Sequence, residues 1–298
     1  MSESLAVETQ DLYRSFDSLE ALRQVNLRVE RGSVYALLGR NGAGKSTAIR
    51  ILMGLIRSSS GRALVLDHEP WNAPPAVKQR IGYFSESLEL YPWMAVGQLI
   101  ELTSGLYSNW NRPYQHYLVK RLEIPLAPKI STLSTGMKRR VGLLLALCPK
   151  PELLVLDEPG GGLDVVVRRE FLDVLFELLA DEEHTMLFAS HIFSDVERIA
   201  THVGILEAGR LVIEQPIDAL YESVRHIHIE LDRDVGRLDV PGALTVRRNG
   251  TRRWTASVDR FGDATLRDLQ QRFPTARFEA QRVGLEDIFI DYVQAARG

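Results

Sequence analysis

The chain has 298 residues, room for one large and one small domain, with a formal net charge of −3, 45% apolar residues and 25% charged ones. This is ordinary globular composition, which excludes a disordered tail, and the lack of an overall basic excess argues against a nucleic-acid binder. The single cysteine, Cys148, excludes an internal disulfide framework and fits a reducing compartment.

The opening stretch, Met1–Glu8, has no basic segment followed by an apolar one, so no signal peptide is expected. No window reaches the ~18 apolar residues that a bilayer span needs. Leu27–Val29 and Val34–Leu38 read as short strands either side of the turn Glu30–Ser33. A glycine-rich loop, Gly39–Gly44, follows directly. From Lys45 to about Leu55 the pattern turns helical, with Ile49, Leu52, Met53 and Ile56 on one face. Residues 58–80, broken by Gly61, Pro70, Pro74 and Pro75, read as loops and short strands. Ile81–Phe84 is a strand, and Ser87–Leu147 is mostly helical, with breaks near Pro92, Pro113, Pro125 and Pro128.

Within that helical region, Tyr107–Tyr117 is aromatic and polar but has few basic residues, so packing is favoured over stacking on bases. Cys148 ends the apolar run Val141–Cys148 and is expected to be a buried thiol. Leu153–Leu156 is a continuous apolar run, as suits a strand buried on both faces. Val165–Leu179 is an amphipathic helix, Met186–Ala189 a second buried strand and Phe193–Ala200 a short helix. Val203–Leu206 and Leu211–Ile213 form a hairpin. The character changes near Tyr221–Arg225, where a domain boundary is placed. Beyond it, residues 226–231 alternate like a half-exposed strand. Strands at Ala243–Arg247 and Arg253–Val258 follow, joined by Asn249-Gly250. A helix at Ala264–Phe273, a strand near Ala276–Ala280 and an acidic amphipathic helix at Leu285–Val293 complete the chain. That last helix is expected to pack within the small tail domain.

Two motifs carry chemistry. Gly39-Arg40-Asn41-Gly42-Ala43-Gly44-Lys45-Ser46 fits a phosphate-binding loop and has the context such a loop needs, a strand before and a helix after. Glycines let backbone amides close around phosphates at the positive end of a helix. Lys45 would reach the terminal phosphates, and the Ser46 hydroxyl would hold Mg²⁺, a hard cation that prefers oxygen. The second motif is Leu153–Asp157 followed by Glu158 and Pro159. It puts two carboxylates at the mouth of a sheet, where open α/β folds bind ligands. Asp157 would organise Mg²⁺ through water, and Glu158 would polarise an attacking water.

Taken in order with three further segments, these motifs resemble the ATP-binding subunit of ABC transporters over roughly residues 5–220. Leu133–Arg140 resembles the family's signature, Gly162-Leu163-Asp164 the loop that crosses to the partner subunit, and Ser190-His191 the histidine switch. Phe16 matches the aromatic residue that stacks on adenine. Ile81–Glu86 matches the loop that usually offers a glutamine to Mg²⁺ and the permease. Two physical arguments stand beside the resemblance. Ser134 and the Gly136 amide open an apolar helix, and a helix N-terminus with a hydroxyl suits an anion. His191 follows a buried strand in register with Asp157, within reach of a γ-phosphate.

The resemblance implies an α/β fold, a phosphate-loop ATPase cassette with a RecA-like core over residues 1–222, its helical subdomain at about 87–150, and a small α+β domain at 223–298. It implies hydrolysis of ATP to ADP and phosphate, with Lys45, Glu158 and His191 catalytic. Phe16 and Gly39 to Thr47 would bind ATP, and Ser46, Asp157 and Glu86 would hold Mg²⁺. Ser134, Gly136 and Asp164 would act across a dimer, most simply a homodimer. The remaining partner is a transmembrane permease, in the export direction, which holds the chain at the cytoplasmic face; no nucleic acid is implied. The rival reading is a soluble ABC-type ATPase of translation or DNA repair. Such proteins carry two cassettes or a long coiled coil, and this chain has one cassette and no sustained heptads. There are departures from the family pattern. Thr135 and Met137 stand where glycine and glutamine are common, Glu86 replaces the loop glutamine and loses its amide donor, and Gly160-Gly161 replaces a small polar pair.

Overall fold

The computed structural model of the chain describes residues 4–85, 87, 89–162, 165–179 and 184–297. Its elements begin with β1 (Leu5–Phe16), β2 (Leu19–Val25), β3 (Arg28–Glu30), β4 (Val34–Leu38), α1 (Lys45–Leu52), β5 (Ser60–Val65), α2 (Pro75–Lys78), β6 (Ile81–Phe84), α3 (Val96–Ser104), α4 (Arg112–Arg121) and α5 (Thr135–Leu147). They continue with β7 (Leu153–Asp157), α6 (Val165–Leu179), β8 (Thr185–Ser190), α7 (Phe193–Ile199), β9 (His202–Glu207), β10 (Arg210–Pro216) and α8 (Ile217–Ser223). The tail holds β11 (Arg225–Glu230), β12 (Ala243–Arg248), β13 (Arg253–Val258), α9 (Asp263–Arg272), β14 (Arg277–Gln281) and α10 (Leu285–Ala295).

The central sheet runs β10-β9-β4-β8-β7-β6, parallel except for the hairpin partner β10. Its middle strands β4, β7 and β8 are buried at every position and mostly apolar, because both faces are covered. Alternate side chains enter two different cores. Val34, Ala36, Leu38, Leu154, Leu156, Met186 and Phe188 join one cluster, whereas Tyr35, Leu37, Leu153, Val155, Leu187 and Ala189 join the other. Helices α3 to α8 pack on the first face; α1 and an antiparallel sheet of β2, β1, β3 and β5 pack on the second. Each buried Leu, Ile or Val contributes about 1.5–3 kcal/mol. Cys148 is fully buried, as expected, and burial pushes its thiol up to about 12. Trp110 and Tyr114 pack against the same core, so the aromatic stretch is structural.

The strands ahead of Leu27 have no clean alternation in the sequence. β1 carries register shifts against all three of its partners, and Asp11 adopts φ 48°, so inward and outward positions fall out of step.

The tail sheet is antiparallel, in the order β12-β13-β11-β14, with its own apolar cluster of Ile227, Ile229, Trp254, Ala256, Val258 and, from α9, Leu269. The expectation for α10 needs correction. Its Leu285, Ile288, Phe289, Tyr292 and Val293 belong to the main core, on the helical face of the central sheet. Amphipathic spacing identifies an apolar stripe but not the surface it meets. The apolar face of the tail sheet is already covered by α9, so the stripe packs on the larger core. On its other side α10 reaches back to the tail sheet: Asp291 pairs with His226 Nε2 at 2.6 Å and with Arg247 Nη2 at 2.8 Å, and Gln294 Oε1 accepts from Arg247 Nη2 at 2.8 Å.

Candidate active site

Three parallel strands end side by side. Leu38 of β4 is in register with Ser190 of β8, and Ala189 of β8 with Asp157 of β7. The loop after β4 must therefore turn sharply over the same edge at which Asp157, Glu158 and His191 emerge. Gly44, at φ 111°, is the residue just before α1, and a Cβ there would lie 2.5 Å from the Ala21 carbonyl oxygen. Only glycine fits that conformation and that approach. The first residues of α1 are Lys45 and Ser46, so the helix's free amides face the loop's hollow.

The functional side chains meet there. Lys45 Nζ donates to the Gly39 carbonyl at 2.7 Å and pairs with Glu158 Oε1 at 3.1 Å. Ser46 Oγ donates to Asp157 Oδ1 at 3.0 Å. His191 Nδ1 lies 2.7 Å from Glu158 Oε2, so this ring nitrogen carries the proton that the carboxylate accepts. Lys45 and Glu158 are each only 5% exposed, so their charges face one another with little water between them. Burial raises the nearby Asp195 carboxyl above its ordinary range, against the opposing pull of Arg168, Arg198 and His191.

A cleft of about 600 Å³ opens above these groups, with Phe16, Arg40, Asn41, Gly42, Thr47 and His191 among its walls. Phe16 is 40% exposed at the rim, and the Arg14 guanidinium lies 4.3 Å from its ring centroid, which leaves the other ring face open. Ala43 points inward and is buried; its carbonyl accepts from Gly209 N at 3.0 Å. Ser134 caps α5, accepting from Met137 N at 3.2 Å, and neither it nor Gly136 is among the cleft's lining residues. Glu86 and Asp164 lie outside the described residues.

Arg139 belongs to the site although, within the signature-like stretch Leu133–Arg140, it carries no assigned role. Its guanidinium donates to the carbonyls of Glu158 and Pro159, both at 3.1 Å. It is buried, and it braces a backbone that takes the left-handed φ of 50° at Glu158. One signal was available. Arg139 shares a helix face with Leu143 and Ala146, and a cation on an apolar stripe needs a buried acceptor. Among the described residues, no group of three or more His, Cys, Asp or Glu side chains forms a ready metal cage. Ser46 and Asp157 together offer two hard oxygen donors, the kind of partial set on which Mg²⁺ keeps several waters and takes substrate oxygens.

Residues 22–161 match the family model described as ABC transporter. The chain is 33% identical over 229 residues to the ABC transporter ATP-binding protein YtrB of Bacillus subtilis (strain 168), covering 77% of this chain and 78% of that one. It is 32% identical over 220 residues to the bacitracin transport ATP-binding protein BcrA of Bacillus licheniformis, covering 73% and 72%. A solved structure of the ATP binding subunit of an ABC transporter superposes with a TM-score of 0.66 at 28% identity, over 74% of this chain and 92% of that one.

Proposed function

The chain belongs to the ABC transporter family of ATP-binding proteins, and from that footing we propose that it hydrolyses ATP to drive export through a separate membrane permease. The observation that carries this reading is the meeting of Lys45, Ser46, Asp157, Glu158 and His191 at one sheet edge, beneath an open cleft. The division of labour gives catalysis to the cassette at 1–222, helical at about 87–150, and a separate role to 223–298, whose own apolar cluster supports the division.

In this reading the phosphates of ATP lie on the loop amides of Gly39–Gly44 and at the start of α1, and adenine stacks on the open face of Phe16. Lys45 exchanges its ion pair with Glu158 for the terminal phosphates, which frees Glu158 Oε1 to accept a proton from water. The water oxygen bonds to the γ-phosphorus as the bond to the β–γ bridging oxygen breaks, leaving ADP and phosphate. His191 holds the other Glu158 oxygen and so fixes the carboxylate's direction. Ser46, and Asp157 through water, would hold Mg²⁺, which would supply positive charge against the phosphates. Catalysis of this kind is positioning plus charge stabilisation.

Two partners complete the proposal. Ser134 is exposed at the start of α5 and off the cleft of its own chain, which supports a role for it and Gly136 at the nucleotide of a second copy. Among the described residues no helix is long and apolar enough to cross a membrane, so the membrane part of the machine is assigned to another chain. A position at the cytoplasmic face of the membrane, held by the permease, is part of this proposal. The relative named for bacitracin transport supports the transport role, and export is the direction proposed. The test is capture of the tagged chain from detergent-solubilised membranes of its own cells. A polytopic membrane protein should co-elute and stimulate phosphate release. Recovery with ribosomes or DNA, and with no membrane protein, sinks the transport reading.

A further inference from the structure

Helix α10 lies beyond the last cassette strand, yet it ends up beside the nucleotide site. Its Phe289 ring meets Phe193 with centroids 5.2 Å apart and planes at 56°, a favourable tilted pair. Phe193 is the first residue of α7 and stands two residues after His191. One turn further along, the backbone N–H of Leu285 donates to Glu197 Oε1 at 3.3 Å. Positions 285 and 289 of α10 thus face 197 and 193 of α7, an antiparallel match at four-residue spacing on both helices. α7 has seven residues, fewer than the roughly 12–15 at which an isolated helix becomes even marginally stable, so its placement depends on what it packs against. Phe289, Phe193 and His191 also line a cleft of about 340 Å³ together with Gly39, Arg40 and Asn41. The aromatic pair therefore shares a cleft with the imidazole and the phosphate loop.

We propose that Phe289 is a positioning residue for hydrolysis: by holding Phe193 it fixes the start of α7, and with it the 2.7 Å pairing of His191 with Glu158. The same helix is tied to the tail sheet through Asp291, His226 and Arg247. A shift of that sheet is thereby transmitted to His191, which gives the tail a route for adjusting turnover.

The inference rests on the ATPase reading for its kinetic arm, so a second arm needs no turnover. The first arm compares ATP hydrolysis by the wild type, Phe289→Ala and Phe289→Leu in the full chain. Phe289→Ala should lower kcat about tenfold or more, as misplacement of a catalytic group does, with KM for ATP within about twofold. Phe289→Leu, which keeps apolar bulk at the contact, should recover most of the rate. The second arm follows the His191 ring resonance by NMR without nucleotide. It should move in Phe289→Ala and return towards the wild-type position in Phe289→Leu. Should Phe289→Ala fail to fold, Phe289→Val carries the same two tests. A folded variant with wild-type kcat and an unmoved His191 resonance overturns the proposal. An inactive wild type would instead remove the ATPase reading and leave the resonance test standing.

Discussion

Glu158 adopts φ 50°, a backbone conformation uncommon for a residue with a side chain, and Arg139, Lys45 and His191 together hold it there. That concentration of contacts on one carboxylate is the residue-scale reason to assign it the water. Replacing it by Gln keeps shape and removes the ability to take a proton. Glu158→Gln should cut phosphate release by about 10²–10⁴-fold. Nucleotide affinity, measured by fluorescence titration, should stay close to wild type, and ATP-bound dimers should accumulate on a sizing column. Turnover near the wild-type rate would remove Glu158 from the mechanism.

At the scale of elements, α10 joins two structures through opposite faces. Its apolar stripe fills the cassette core, and Asp291, 1% exposed, faces the tail sheet. Burial raises the Asp291 carboxyl, but hydrogen bonds from His226 and Ser257 and the charges of His226 and Arg247 outweigh it and hold the group below the usual carboxylate range. A depressed carboxylate stabilises the fold above its unfolded value, about 3.9, and loses that contribution as pH falls through the lower folded value. Asp291→Asn should therefore destabilise the protein at pH 7 by about 1–3 kcal/mol, since it leaves the Arg247 guanidinium facing a neutral amide. Urea melts should show the gap to wild type closing as pH drops from about 4 towards 2. A gap that stays constant over that range would mean that Asp291 contributes by packing and not by charge.

At the scale of the whole molecule, the proposed dimer gives each chain half of two sites. Lys45 lies in the cleft, and Ser134 lies off it at the head of α5. Lys45→Ala and Ser134→Arg should each be inactive alone, the first through lost ATP binding and the second through a blocked partner contact. Mixed, they form a heterodimer in which one site has Lys45 from the Ser134→Arg chain and Ser134 from the Lys45→Ala chain. Phosphate release should reappear at an appreciable fraction of the wild-type rate, because removing transition-state contacts typically costs ~10²–10³-fold and this site has lost none. Mixtures that stay inactive although mass photometry shows heterodimers would assign each chain its own complete site.

The sequence by itself determined the phosphate loop, the carboxylate strand and the α/β fold, because each is a local rule. Glycine spacing permits a loop geometry, and the apolar runs Val34–Leu38, Leu153–Leu156 and Met186–Ala189 have the composition of strands covered on both faces. It also placed the tail's strands and helices, from alternation in residues 226–231 and the turn at Asn249-Gly250. Three things depended on the tertiary structure. β1 was hidden because its bulges break the alternation that marks a strand. Arg139 was hidden because its acceptors, the carbonyls of Glu158 and Pro159, lie about twenty residues away in the chain and come near only when α5 packs against the central sheet. The destination of α10 was misassigned to the tail because an apolar stripe is equally satisfied by any apolar surface. Only the finished core, already closed on the tail side by α9, left that helix a single place to pack, and that place lies beside His191.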